Sequence, residues 1–246
     1  MLHVDAKAAE ANAKANTQAS AMLVLPQPQP QPLASSPAST ARTTIYAVLS
    51  RLLASPAPGL DRPAGFAELA EMLTDAAVHL PCHFDSAALA RSCGALALPE
   101  TLDEFRSSYC SIFEIGERGP ALPIREELAS GVTPAAKEEV VRFYEHFGYE
   151  LGPSYQWQPD HATVLFEFMH YLCWHECVAN SREVLESLRA AQRDFAKRHI
   201  LNWLPSVANA LTGRAGDALL TTIISSTVDF ANADYAWLAA RAQGED

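Results

Sequence analysis

The chain has 246 residues, of which 49% are apolar, with a net charge of −11 and a pI near 5.1. This length and apolar content suit one large domain with a sizeable core. An acidic surface repels phosphate backbones and argues against nucleic acid as a partner, and no run reaches the roughly eighteen apolar residues that a membrane-spanning helix needs.

Residues 1–40 are rich in Ala, Gln, Pro and Ser and carry only Asp5, Lys7, Glu10 and Lys14 as charges. The Gln-Pro alternation from Pro26 to Pro32 favours extended polyproline II and cannot build a core, so 1–40 is expected to be a disordered tail. The apolar run before it lacks a cationic flank and a cleavage site, which speaks against a secretory signal; Met22 is an alternative start. Residues 41–246 are expected to form an all-α domain of eight to ten helices.

A first helix is predicted over 41–53, ending at a Ser-Pro-Ala-Pro-Gly run. A second, over 63–80, places Phe66, Leu69, Met72, Leu73, Ala76 and Leu80 on one stripe. Asp85 caps a short third. Thr101 and Glu104 match a capping box ahead of Leu102, Phe105, Tyr109, Ile112 and Phe113. The stretch 116–132 has no helical pattern and is long enough to suggest a functional loop. Thr133 and Pro134 open a helix through Val140, Val141, Tyr144 and Phe147 that stops at Gly148. A further irregular segment, 151–158, carries Tyr155 and Trp157, aromatics placed either to meet an incoming peptide or to fold back on the core.

Residues 159–172 are the most informative. Pro159 and Asp160 signal a helix start with Asp160 as the cap, and Val164, Leu165, Phe168, Met169 and Leu172 form the apolar face. Asp160, His161 and Glu167 sit on or beside that face in its first turns. Glu167 reads either as a partly exposed acid paired with His170 or as part of a groove that recognises a basic segment. After it, a helix from about Ser181 turns Val184, Leu185, Leu188, Ala191 and Phe195 inward, Pro205 starts or kinks the next, and 216–240 supplies one or two more.

The five cysteines are odd in number, with no Cys-x-x-Cys pair, as expected of reduced, mostly buried thiols in a cytoplasmic protein. His170, Cys173 and Cys177 share a helical face, which keeps a metal-binding or redox helical protein as the alternative reading. No fourth ligand is evident beside them. Glu167 and His170 form a Glu-x-x-His unit, but a di-iron bundle needs two, and there is no second. His175 and Glu176 begin a zinc-protease motif whose second histidine is replaced by Ala179. Phosphate-binding glycine loops and nucleophile elbows are absent, and nothing supports catalysis.

Pro159-Asp160-His161 followed by Phe166-Glu167-Phe168-Met169 and Leu172 resembles the signature helix of the TorD/DmsD/NarJ family, the cytoplasmic chaperones dedicated to molybdenum oxidoreductases. The similarity extends to Tyr109–Phe113, to Val141–Gly148 and to Phe195 with His199–Pro205. It runs over about 42–240 and is nearest the nitrate-reductase branch and its type II neighbours. It implies an all-helical fold, no activity of its own and no cofactor. The implied partner is the catalytic subunit of a molybdenum oxidoreductase, bound at its N-terminal or twin-arginine signal region until the molybdenum cofactor is inserted. By motif, Asp160 and His161 belong to the peptide-binding surface and Pro123 and Glu126 to the loop facing it. Ile124 and Arg125 depart from the wording common in relatives after the loop proline. The Asp160 and Glu167 carboxylates are expected to pair with guanidinium groups of the client.

Overall fold

The computed structural model describes residues 36–56, 63–115, 119–131, 135–214 and 218–244. These carry ten α-helices and no sheet strand: α1 (Pro37–Leu53), α2 (Pro63–Ala77), α3 (Ser86–Leu96), α4 (Pro99–Tyr109), α5 (Glu126–Ser130), α6 (Ala135–Phe147), α7 (Ala162–Cys177), α8 (Arg182–Phe195), α9 (Leu204–Thr212) and α10 (Ala218–Ala242). Two π-helical turns, Cys110–Glu114 and Ala196–Ile200, prolong α4 and α8. The all-α expectation holds.

Several boundaries differ for local reasons. α1 begins at Pro37, because Ser36 rather than a later residue caps it, its Oγ accepting from Ser39 N at 3.0 Å. Residues 36–40 therefore belong to the helical domain; the rest of the expected tail lies outside the described residues. The capping box does not form, since Pro99 already starts α4 and Thr101 lies inside it. The expected cap at Thr133 and Pro134 lies outside the described residues, while α6 does stop before Gly148, whose φ of +69° suits glycine. Met72 and Val184, expected inward, are 42% and 43% exposed. The supposed loop contains α5.

α7 is apolar on nearly every side, the pattern of a central buried helix rather than a surface one. α1 lies along it, and α8 packs on a second flank. Phe168 sits among Tyr144, Tyr149 and Phe195, with ring centroids 4.8, 5.5 and 4.7 Å away. α10 closes the core against α3, α8 and α9.

A buried ion network, unforeseen in the sequence, ties four helices. Arg42 of α1 is fully buried and bonds Asp234 of α10, Glu176 of α7 (2.8 Å) and Gln192 of α8 (2.5 Å). Tyr46 donates to Asp234 at 2.7 Å, Arg189 to Glu176 at 2.7 Å, and Ser39 to Glu176 at 2.8 Å. The Trp237 ring lies 4.7 Å from the Arg42 guanidinium carbon. Burial alone would raise the Glu176 carboxyl, but Arg42 and Arg189 outweigh it and hold it below its ordinary value.

Candidate partner-binding groove

α7 starts at Ala162 with His161 as its cap: Nδ1 accepts from Thr163 N at 3.2 Å. The expectation that Asp160 caps this helix is thus corrected. Asp160 turns the other way, towards 119–131. Its Oδ1 accepts from Arg125 Nε and Nη2 at 3.2 and 3.0 Å, and its Oδ2 from Glu127 N at 3.0 Å. It therefore satisfies an open N–H at the start of α5, a cap supplied from another element. Backbone bonds from Glu126 N to Asp160 O (3.1 Å) and from Ala162 N to Ile124 O (3.0 Å) pair the two segments antiparallel at Arg125 and His161.

Glu126 is 1% exposed and anchors α5 from below, beside His199 Nδ1 (3.0 Å) and accepting from Asn202 (3.2 Å). The π turn places His199 there, with its ring against Phe143 and Phe195. The other π turn lies across the loop, which it holds through Leu122 N donating to Ile112 O at 3.0 Å. Such turns recur at functional sites because the extra residue re-aims side chains.

Between these parts opens a groove of about 670 Å³. The end of α1 contributes Arg51, Ala54 and Ser55; the first π turn contributes Phe113 and Glu114; the loop and α5 contribute Pro120, Pro123, Ile124, Arg125 and Leu128; Tyr155, Gln158 and His161 complete it. The Tyr155 ring stands 5.3 Å from that of His161. Of the sequence candidates, Pro123, Tyr155 and His161 come together here.

The others do not line it. Asp160 is fully buried and Glu126 nearly so, which corrects the picture of Asp160 as a free carboxylate awaiting a guanidinium: Arg125 already occupies it. Trp157 is 84% exposed and outside the lining, its carbonyl accepting from Lys137. Glu167 is exposed in an adjoining pocket of about 290 Å³ with Ser50, Thr163 and His170, which shares Arg51 and Ala54 with the groove. It does not pair with His170, whose Nδ1 lies 3.0 Å from Thr43 O; instead it bonds the Tyr149 hydroxyl, which burial and this carboxylate push upward. Sequence reasoning missed Glu114, Leu128 and Arg51. The only signal for Glu114 was its place after the Tyr109–Phe113 motif.

The His/Cys alternative finds no centre. His170 faces a backbone carbonyl, Cys173 faces Gln192 and Cys177 faces Thr43, and no group of three ligands is gathered among the described residues. All five cysteines are free, and burial pushes the Cys93 thiol up to about 12 and the Cys82 thiol to about 11. No described helix is long and apolar enough to cross a membrane.

Burial pushes the His161 imidazole down to about 4, with Arg125 adding to the shift and Asp160 opposing it. The ring is thus neutral near pH 7, as its acceptor role at Thr163 N requires. The unfolded chain takes up this proton near 6.5 and the folded chain only near 4, so stability is full above about 6.5 and declines as pH falls towards 4. The contribution from Glu176 is lost separately, below its ordinary 4.5. His161→Gln, neutral throughout, is expected to flatten the upper window. Urea midpoints at pH 7 and 5 check this: an unchanged pH difference in the variant refutes it.

The nitrate reductase delta subunit family model matches residues 62–209. Among curated relatives, the selenate reductase assembly chaperone protein of Thauera selenatis is 38% identical over 76 residues, 30% of this chain and 39% of that protein. The perchlorate reductase assembly chaperone protein of Dechloromonas aromatica (strain RCB) is 25% identical over 203 residues, 79% and 88% of the two chains. The chlorate reductase assembly chaperone protein of Ideonella dechloratans is 30% identical over 116 residues, 46% and 58%. The chain thus spans less than two thirds of the selenate and chlorate proteins. No solved structure matches it. With a family model covering more than half its length, and the Pro159–Met169 resemblance pointing to the same group, the chain belongs to the nitrate reductase delta subunit family.

Proposed function

We propose that this protein is a cytoplasmic, non-catalytic assembly chaperone. In this reading it binds the apo catalytic subunit of a molybdopterin oxidoreductase, at its N-terminal or twin-arginine signal region, and holds it ready for cofactor insertion before export. The observation that carries the reading is the groove built where the family's signature segment, Asp160 and His161, pairs with the loop of Pro123 and Arg125. The named assembly-chaperone relatives support it.

The chemistry fits an extended segment with both apolar and basic side chains. Pro123, Leu128 and Tyr155 offer apolar surface, and Glu114 supplies an exposed carboxylate for a cation. Glu167, in the adjoining pocket, offers a second carboxylate further along, and exposed Trp157 flanks the site. Asp160 and Glu126 act from beneath by positioning α5.

The test is co-purification from the native host to identify the bound large subunit, followed by calorimetry with its N-terminal region. Leu128→Glu alters the groove at an exposed position, and Tyr155→Ala at a half-buried ring on the edge of the core. Each is expected to weaken binding at least tenfold, on the scale of losing one anchor side chain. Capture of no oxidoreductase subunit, or wild-type affinity in both variants, overturns the reading.

A further inference from the structure

A second groove, of about 700 Å³, lies between α6 and α8 and shares no residue with the one above. Its floor is apolar: Phe143 and Phe147 from α6, and Ala190 and Ala191 from α8. Its walls are charged. The two acids, Glu139 and Asp194, are both engaged by Arg198, the second at 3.2 Å. Arg142, Arg193 and Lys197 also line it, and no described side chain holds any of the three in an ion pair.

In a chain of net charge −11, three uncommitted cations around an aromatic floor are against the general trend. Their placement carries information. Arg193 and Lys197 stand one helical turn apart on the α8 side and Arg142 on α6, so cations border both sides of a groove whose lining also holds two phenyl rings. An occupant must bring carboxylates on its flanks and apolar side chains along its middle. Two copies of a chain of net charge −11 repel each other, whereas the local cations of this groove are complementary to a short acidic segment.

We infer that the α6/α8 groove is a second docking surface, which takes an acidic amphipathic segment of a partner protein: its apolar side chains meet Phe143 and Phe147, and its carboxylates meet Arg142, Arg193 and Lys197. This surface is separate from the client groove and does not depend on it.

The experiment uses the full chain and a fluorescein-labelled amphipathic helical peptide of Glu, Leu and Phe, with a matched peptide carrying Lys for every Glu. Fluorescence anisotropy is expected to show the acidic peptide binding at least tenfold tighter than its Lys twin, with affinity falling as salt rises. Arg193→Glu combined with Lys197→Glu, both outside the buried core, is expected to reverse that preference, while Leu128→Glu in the other groove leaves it intact. Arg142→Gln, a milder change, is expected to weaken the acidic peptide severalfold and serves if the double variant misfolds. The inference is overturned by no binding of either peptide, by acidic-peptide affinity indifferent to these variants, or by displacement by sodium triphosphate at equal affinity, which marks a small-anion site. Self-association of the free protein that the charge reversal abolishes also overturns it, in favour of a second copy as occupant.

Discussion

Arg42→Ala is expected to destabilise the fold by about 3–5 kcal/mol, the range for removing one partner of a buried ion pair. The loss is large because the guanidinium is the hub and not an ornament: Asp234, Glu176 and Gln192 all accept from it with no solvent nearby. Without it, two carboxylates stay buried: Glu176 keeps Arg189, Ser39 and Gln192, and Asp234 keeps, among the described residues, the Tyr46 hydroxyl alone. Combining Arg42→Met with Glu176→Gln and Asp234→Asn removes the charges together and is expected to recover a good part of the loss, since paired burial is weak evidence of net stabilisation. Urea titration of the three proteins decides it. A single variant within about 0.5 kcal/mol of wild type shows that the network does not hold the four helices.

Asp160→Ala is expected to release α5 and the loop without melting α7. The change removes a side-chain cap from Glu127 N and leaves the Arg125 guanidinium, itself 22% exposed, without its buried partner. The partial exposure of Arg125 reduces the loss to about 2–3 kcal/mol, most of it local, below the range for a fully buried pair. At about 1.4 kcal/mol per tenfold, the α5 amides then exchange roughly 30- to 150-fold faster, while the α7 amides stay protected. Far-UV circular dichroism should be close to unchanged, and client affinity should fall at least tenfold because one wall of the groove is no longer fixed. Asp160→Asn still accepts from Glu127 N and is expected to fall between the two. Wild-type exchange at α5 in the alanine variant refutes the positioning role, and normal exchange with lost binding instead returns Asp160 to direct contact with the client.

These two residues show how unequal the legibility was. Asp160 was singled out from the sequence because aspartate after proline and before an apolar run marks a helix start. The segment was right and the helix was wrong, since the cap is given to α5, 33 residues earlier in the chain. A local rule cannot see that His161, with a neutral ring, is able to cap α7 and free Asp160 for another element. Arg42 was not singled out at all. Its partners stand 134 to 192 residues away, and nothing in the neighbourhood of an arginine on a helix says that it will be buried. Glu176 had drawn attention only as part of a failed zinc motif.

The sequence by itself determined that the chain beyond its first forty residues is helical, roughly where several of its helices lie, that α7 carries a large apolar face, and which family its motifs resemble. The first three follow from periodicity, caps, glycine and proline, whose physics acts within a few residues, and the last from a resemblance of motifs. Only the tertiary structure decided which polar groups face each other. It buried Asp160 and Glu126 as props, brought Pro123, Tyr155 and His161 into one groove with Glu114 and Leu128, left Glu167 in a neighbouring pocket, and set Arg142 across from Arg193 and Lys197. The reason is that desolvation and hydrogen-bond pairing depend on contacts between distant segments, and one chain's local pattern does not encode which segments meet.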